Sequence, residues 1–213
     1  MTPGKQTSRG GGLFVISAPS GAGKTSLVKA LLERNPALTV SVSHTTRPPR
    51  PSEKQGREYW FVTPQEFQER LARGEFLEHA RVFDNFYGTG RASVAEVLAA
   101  GRDVILEIDW QGARQVRESA PGCTTIFILP PSRAALEERL RNRQTDSDAV
   151  IARRLQDAVG DMAHYREFGY VVVNDDFDAA CGQLESILAG HGEALASNRA
   201  ELEPLLTDLI GAP

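Results

Sequence analysis

Eight consecutive residues, Ala18, Pro19, Ser20, Gly21, Ala22, Gly23, Lys24 and Thr25, join an apolar strand-like run, Leu13-Phe-Val-Ile16, to a segment with helical spacing, Leu27, Val28, Leu31 and Leu32. A strand, a small-residue loop and a helix in that order form the setting that a phosphate-cradling loop requires. Small residues let the backbone curl so that several N–H groups point at one anion, and the positive end of the following helix adds to the same field. Lys24 would then reach the β- and γ-phosphates of a nucleotide, the Thr25 hydroxyl would ligate Mg²⁺, and Ser26 falls in the same first turn. The first position of the pattern is Ala18, where glycine is usual. A Gly-rich strand–helix turn can also be a mere tight connection, but the Lys-Thr pair and the flanking elements favour phosphate binding.

The chain of 213 residues is long enough for one large α/β domain, and its net charge of −4 argues against broad, sequence-independent binding to nucleic acid. Any anion must therefore be held by local arginines. Cys123 and Cys181 sit in apolar contexts without metal-ligand spacing and read as two buried thiols in a reducing compartment. No run approaches the ~20 apolar residues of a membrane span. The polar, Gly-rich start reads as a frayed tail over residues 1–11, without the apolar core of a signal peptide, so the expected location is cytoplasmic.

Short apolar runs at Leu13–Ser17, Val104–Asp109, Thr125–Leu129 and Tyr170–Asn174 alternate with helical patterns. That order predicts a parallel sheet flanked by helices, with strands buried on both faces. Thr63-Pro-Gln-Glu66 is a capping box with proline at the first helical position, and Gly74 closes the helix that follows. Two stretches break the rhythm. Ser43 to Tyr59 is rich in Pro, Arg, Ser and Gly and reads as a long ligand-facing segment. Arg139 to Arg154 is dense in arginine around a turn-like Gln144-Thr-Asp-Ser147. From about Gly190 onward the chain reads as helical and amphipathic through Leu202, Leu205, Leu206, Leu209 and Ile210, a packed surface helix with an oligomer contact as the alternative.

Ser43-His-Thr-Thr-Arg-Pro-Pro-Arg50 offers hydroxyls and two arginines in a proline-stiffened segment. Arg47 and Arg50 could clamp one phosphate, with the Tyr59 hydroxyl as a further donor. The same segment taken alone also reads as a solvated loop. Phe76-Leu-Glu78 and Phe86-Tyr-Gly-Thr89 add a carboxylate, a phenol and a hydroxyl. A guanine edge displays N1–H and N2–H₂ donors that a carboxylate accepts, whereas adenine presents an acceptor at N1. Glu78 is the candidate for that pairing, although its spacing by itself suggests an ordinary strand-end surface acid.

Together these motifs resemble the guanylate kinase family, from about Gly12 to beyond Asn174. The resemblance rests on the phosphate loop, the Ser43–Arg50 segment, Gly56-Arg-Glu-Tyr59, Phe76-Leu-Glu78, Tyr87-Gly-Thr89, Glu107-Ile-Asp-Trp-Gln-Gly112, the Arg139-Leu-Arg-Asn-Arg143 region and Val173-Asn-Asp-Asp176. It implies a P-loop NTPase core over 12–42, 97–138 and 155–213, a GMP-binding region over 43–96 and a small helical lid over 139–154. It also implies that Ser43, Glu78 and Thr89 hold guanine, and that Arg47, Arg50, Tyr59 and Tyr87 hold the GMP phosphate. Glu107, one methylene longer than the aspartate often found there, would also face guanine, while Asp109 would lie near the Mg²⁺ water shell. The lid arginines match Arg139, Arg143 and Arg154, with Asn142 and Gln144 where glycines are common, and Asn174 matches a position near the adenine.

The activity implied is Mg²⁺-dependent transfer of the γ-phosphoryl of ATP to GMP, with dGMP as a second acceptor. Lys24, Mg²⁺, Arg139, Arg143 and Arg154 would supply positioning and charge neutralisation. A GMP phosphate oxygen is already nucleophilic near neutral pH, so no catalytic base is assigned, and His44, His79 and His164 are read as structural. The rival from another class is a non-catalytic, peptide-binding relative of this fold, disfavoured by the intact Lys24-Thr25 pair and by a length that leaves no second domain. Another nucleoside monophosphate kinase is disfavoured by Glu78 and the Ser43 segment. A GTPase is disfavoured because the chain contains no Asn-Lys-x-Asp run.

Overall fold

The computed structural model describes residues 11–82, 84–142 and 148–211. Three expectations fall outside them: the tail over 1–11 except for Gly11, the turn Gln144–Ser147, and Arg143.

The chain begins with β1 (Leu13–Ser17) and α1 (Lys24–Arg34), followed by β2 (Thr39–Val40), β3 (His44–Thr45) and β4 (Trp60–Phe61). Next come α2 (Pro64–Ala72), the antiparallel pair β5 (Phe76–Val82) and β6 (Asn85–Gly90), α3 (Arg91–Ala99), β7 (Val104–Glu107) and α4 (Trp110–Ser119). The remainder is β8 (Thr124–Leu129), α5 (Arg133–Arg141), α6 (Asp148–Met162), β9 (Tyr170–Val173), α7 (Phe177–Leu188) and α8 (Glu203–Ile210).

Five strands form a parallel sheet in the order β2-β7-β1-β8-β9. Its strands alternate between two cores, as the period of two requires. Val15, Leu106, Phe127, Leu129 and Val171 face the side packed by α4, α5, α6 and α8. Phe14, Ile16, Ile105, Ile126, Ile128 and Val172 face the side packed by α1 and α7. Each such fully buried side chain stabilises the fold by roughly 1.5–3 kcal/mol relative to exposure. This is the doubly covered parallel sheet that the near-continuous apolar runs predict.

The register brings the site together. Ile16 of β1 lies opposite Glu107 of β7, and the Ile108 N–H donates to the Ile16 carbonyl at 3.3 Å. The loop after β1 and the residues after β7 therefore emerge side by side at the carboxyl edge, where the chain leaves the sheet toward opposite faces.

A smaller sheet, β4-β3-β6-β5, stands beside it. Pairing of β5 with β6 sets Glu78 opposite Thr89, with a register shift between Phe76 and Glu78. Such an irregularity re-aims the side chains beyond it. Pairing of β3 with β6 sets His44 opposite Gly88, which carries Ser43 to the level of Thr89.

Four expectations need correction. The run expected over Val104–Asp109 ends at Glu107, because Asp109 leaves the strand to cap α4, its side chain accepting from the Gly112 N–H at 2.8 Å. Cys181 is buried, whereas Cys123, in the turn before β8, is only half-buried. The stretch after Gly190 is not one helix: short 3₁₀ turns cover Glu193–Leu195 and Ala200–Leu202, and only Glu203–Ile210 is α-helical. Proline in its first turn starts that helix, and Leu202, Leu206 and Leu209 bury against the core. Finally, Glu78 is no surface acid, being 3 % exposed although it lies on β5, an edge strand of the small sheet. The capping box of α2 is as read, with Thr63 and Glu66 each accepting from the other's backbone N–H.

Candidate active site

Gly21 and Gly23 adopt φ of +92° and +95°, left-handed conformations that other residues rarely enter, and so curl the loop after β1. The Ala22 N–H closes the loop on the Pro19 carbonyl at 3.2 Å, and the start of α1, with no side-chain cap and no acid in its first turn, offers its N–H groups to an anion. Lys24 extends across to donate to the Ile108 carbonyl at 3.0 Å, so it packs against the neighbouring loop rather than standing free.

Thr25 donates its hydroxyl hydrogen to the Glu107 carboxylate. The Glu107 charge also raises the Tyr59 phenol, which burial as the larger cause and Glu107 together push up to about 12. Glu107, expected at the guanine, is thus engaged on the phosphate side of the cleft. Beside it the second oxygen of Asp109, Oδ2, is buried with no hydrogen-bond partner among the described residues.

On the small sheet, Thr89 Oγ1 donates to Glu78 Oε1 at 2.5 Å and lies 3.3 Å from Ser43 Oγ. Burial raises the Glu78 carboxyl to about 7; the Thr89 hydrogen bond opposes the shift, nearby Asp109 reinforces it, and Lys24 opposes it. Ser43, Thr89 and Glu78, the three guanine candidates, are thus brought into one connected polar row.

The rings of Tyr59 and Tyr87 meet edge to face at 5.9 Å, and the Arg47 guanidinium lies 5.4 Å from the Tyr59 ring centre. Arg47 also donates to both oxygens of Glu53, at 2.9 and 3.0 Å, and the Arg50 N–H donates to Glu53 at 2.8 Å. Burial alone would raise Glu53, but these bonds outweigh it and hold the carboxyl below its usual range. Glu53 belongs to none of the motifs, and its one signal in the sequence is an acid three residues after Arg50. Arg47 is 16 % exposed while Arg50 is 60 % exposed, so Glu53 organises one inner and one outer arginine.

The two sheets share one cleft of about 870 Å³. It gathers Ala18, Pro19, Ser20, Gly21, Gly23, Lys24, Thr25 and Ser26 with Ser43, Tyr59, Glu78, Tyr87, Glu107 and Asp109. Ala22 and Thr89 are buried behind the wall. Among the described residues, Arg47, Arg50, Arg139 and Arg154 do not line it. Arg139 donates to the Asn174 carbonyl at 2.9 Å, and its Nη1 is buried without a partner among the described residues. Asn174, expected near adenine, is 5 % exposed and donates its amide to the Ala22 carbonyl inside the loop. On α6 the cleft-lining arginine is Arg153 rather than Arg154. Arg141 joins the ends of α5 and α6 by bonding Glu137 and Asp148.

The histidines hold structure. His44 packs edge-on against Phe76 at 5.4 Å, and burial lowers its pKa. His79 lies within β5. His164 reaches the cleft wall, stacked on Trp110 at 3.5 Å and paired with Glu167, whose carboxyl is brought to about 2 by Arg114 first, with His164 and Arg117 adding and burial opposing. Trp110 Nε1 donates to Asp161, so α4 and α6 are joined beside the cleft. Nothing in the spacing of Trp110, Asp161 and His164 signals that contact.

Among the described residues no helix is long and apolar enough to cross a membrane. Comparison with known proteins gives one consistent result. The guanylate kinase family matches residues 11–191. A guanylate kinase of Methylococcus capsulatus is 58% identical over 199 residues, covering 93% of this chain and 98% of its own. One of Escherichia coli K12 is 50% identical over 202 residues, covering 94% and 98%. The crystal structure of the Anaplasma phagocytophilum guanylate kinase is 32% identical with a TM-score of 0.71, covering 96% of this chain and 98% of that one. A P-loop NTPase core, a buried carboxylate across the cleft from it and a family match over most of the length agree: this chain belongs to the guanylate kinase family.

Proposed function

We propose that this chain transfers the γ-phosphoryl group of ATP to GMP, giving ADP and GDP, with Mg²⁺ as the divalent ion and dGMP as a further acceptor. The observation that carries the reading is Glu78, a buried carboxylate lining the same cleft as the phosphate loop. Ionised, it accepts from guanine N1–H and N2–H₂, and an adenine there would leave it facing an acceptor.

The loop of Ala18–Ser26 binds the ATP phosphates, with Lys24 leaving the Ile108 carbonyl for the β- and γ-phosphates. Arg47, Arg50, Tyr59 and Tyr87 hold the GMP phosphate, and Glu53 orients the two arginines. An attacking oxygen of that phosphate displaces ADP in line, so the protein's task is to hold two anions together and exclude water. The division into a core (12–42, 97–138, 155–213), a GMP-binding region (43–96) and a lid (139–154) gives that task moving parts, the lid bringing Arg139, Arg143 and Arg154 to the transferring group.

The oxygens of Thr25 and Glu107 and the unpartnered Asp109 Oδ2 fit Mg²⁺, which prefers few hard protein oxygens plus water and phosphate. When bound, the ion would neutralise charge on the nucleotide phosphates. Cys123 and Cys181 are free thiols, in keeping with action in the cytoplasm.

A coupled assay with ATP and a panel of nucleoside monophosphates tests the reading. GMP should lead the panel by at least ~10²-fold in kcat/KM. Comparable turnover of AMP would overturn it.

A further inference from the structure

Gly112, the third residue of α4, lies against the guanine acid. A Cβ at this position would overlap Glu78 Oε2 and lie 3.0 Å from its Cδ. Nothing else about the position asks for glycine. It is not among the glycines with positive φ, and alanine is the better helix former. The room beside Glu78 is what a side chain would remove.

Two further contacts make that room part of a built arrangement. The Gly112 N–H donates to Asp109 Oδ1 at 2.8 Å, which fixes the first turn of α4. One turn on, Gln115 grips β5 next to Glu78: its Oε1 accepts from the His79 N–H at 3.1 Å, and its Nε2 donates to the His79 carbonyl at 2.6 Å. Gln115 sets the separation of α4 and β5, and Gly112 leaves the space into which the carboxylate fits. On the far side Thr89 holds the other oxygen.

We propose that Gly112 is a positioning residue for guanine specificity: its missing side chain lets the Glu78 carboxylate lie where it accepts both guanine donors. The inference rests on the reading of Glu78 as the guanine acceptor. Overlap with the end of a side chain is relieved by turning Glu78 aside, so a larger residue costs acceptor recognition rather than the fold.

The test uses the full chain and four variants, Gly112→Ala, Glu78→Asp, the Glu78→Asp/Gly112→Ala double and Glu78→Gln, with KM for GMP and ATP and thermal melting for each. Gly112→Ala should raise the GMP KM by roughly tenfold or more while the ATP KM stays within about twofold. In the Glu78→Asp background, where the acid is one methylene shorter, the same substitution should cost less than about threefold. An equal loss in both backgrounds, or a matched rise in the ATP KM, would overturn the proposal. If Gly112→Ala does not fold while the double variant does, the overlap with Glu78 is upheld; if neither folds, glycine serves packing and the proposal fails. Glu78→Gln separates the two readings. Should it leave GMP use unchanged, guanine is read elsewhere and both fail; should it impair GMP use while Gly112→Ala does not, Gly112 alone is misassigned.

Discussion

The Asn174 side-chain amide donates a 2.7 Å hydrogen bond to the Ala22 carbonyl, tying the end of β9 to the phosphate loop across 152 residues of chain. The loop is thus held from behind by a group that leaves its nucleotide face clear. The same residue receives Arg139 on its backbone carbonyl, so the loop and α5 share one anchor.

Asn174→Ala should therefore loosen the loop without touching the acceptor side. It leaves a carbonyl of a buried residue unpaired, a loss of about 1–3 kcal/mol visible in urea unfolding. The ATP KM should rise more than the GMP KM. An unchanged unfolding midpoint would show that the bond contributes nothing.

Lys24→Ala should abolish most turnover while the protein still folds. Lys24 is half-buried and donates to the Ile108 carbonyl, so little core burial is lost. Removing a charge aimed at the transferring phosphates should lower kcat by ~10²-fold or more. Near-wild-type turnover in the purified variant would refute the phosphate-loop assignment.

Glu53→Gln should disorganise the phosphate arginines. The amide keeps one acceptor but presents a donor to a guanidinium, and bonds to charged groups are worth ~1.5–3 kcal/mol. The GMP KM should rise by roughly tenfold with the ATP KM little changed. A fall in the GMP KM would mean that Glu53 competes with the substrate for Arg47 instead of presenting it.

Glu78 makes stability and acceptor binding depend on pH in opposite senses. Its folded pKa of about 7 lies above the 4.5 of the free side chain, so the folded state holds the extra proton between them. Stability from this group is complete below pH 4.5 and is lost as pH rises through about 7, amounting to up to a few kcal/mol. Glu78→Gln should remove that slope from the melting temperature. On the proposed reading, in which guanine is accepted by the ionised acid, the GMP KM of the wild type should fall as pH rises from about 6 to about 8. A flat GMP KM across that range would argue against an acid titrating in the guanine pocket.

The local order of the chain was enough to place the phosphate loop, the parallel sheet and the α2 cap. Each rests on neighbours in sequence: left-handed glycines before Lys24, apolar runs of strand length, Thr63 and Glu66 three apart. The candidate site was legible in part for the same reason, since Lys24-Thr25, which lines the cleft, sits in one contiguous motif. Contacts between distant segments were not legible. Glu78 looked like a surface acid because burial depends on α4 and β6 closing around it, and Thr89 reaches it only through the β5–β6 register. Glu107 turned to Thr25, and Asn174 to Ala22, because parallel pairing aligns strand ends that lie far apart in the chain. One motif glycine, Gly112, carried no visible reason until the fold set a carboxylate against it. Backbone propensity is written in adjacent residues, whereas burial, charge environment and steric room arise only when remote elements meet.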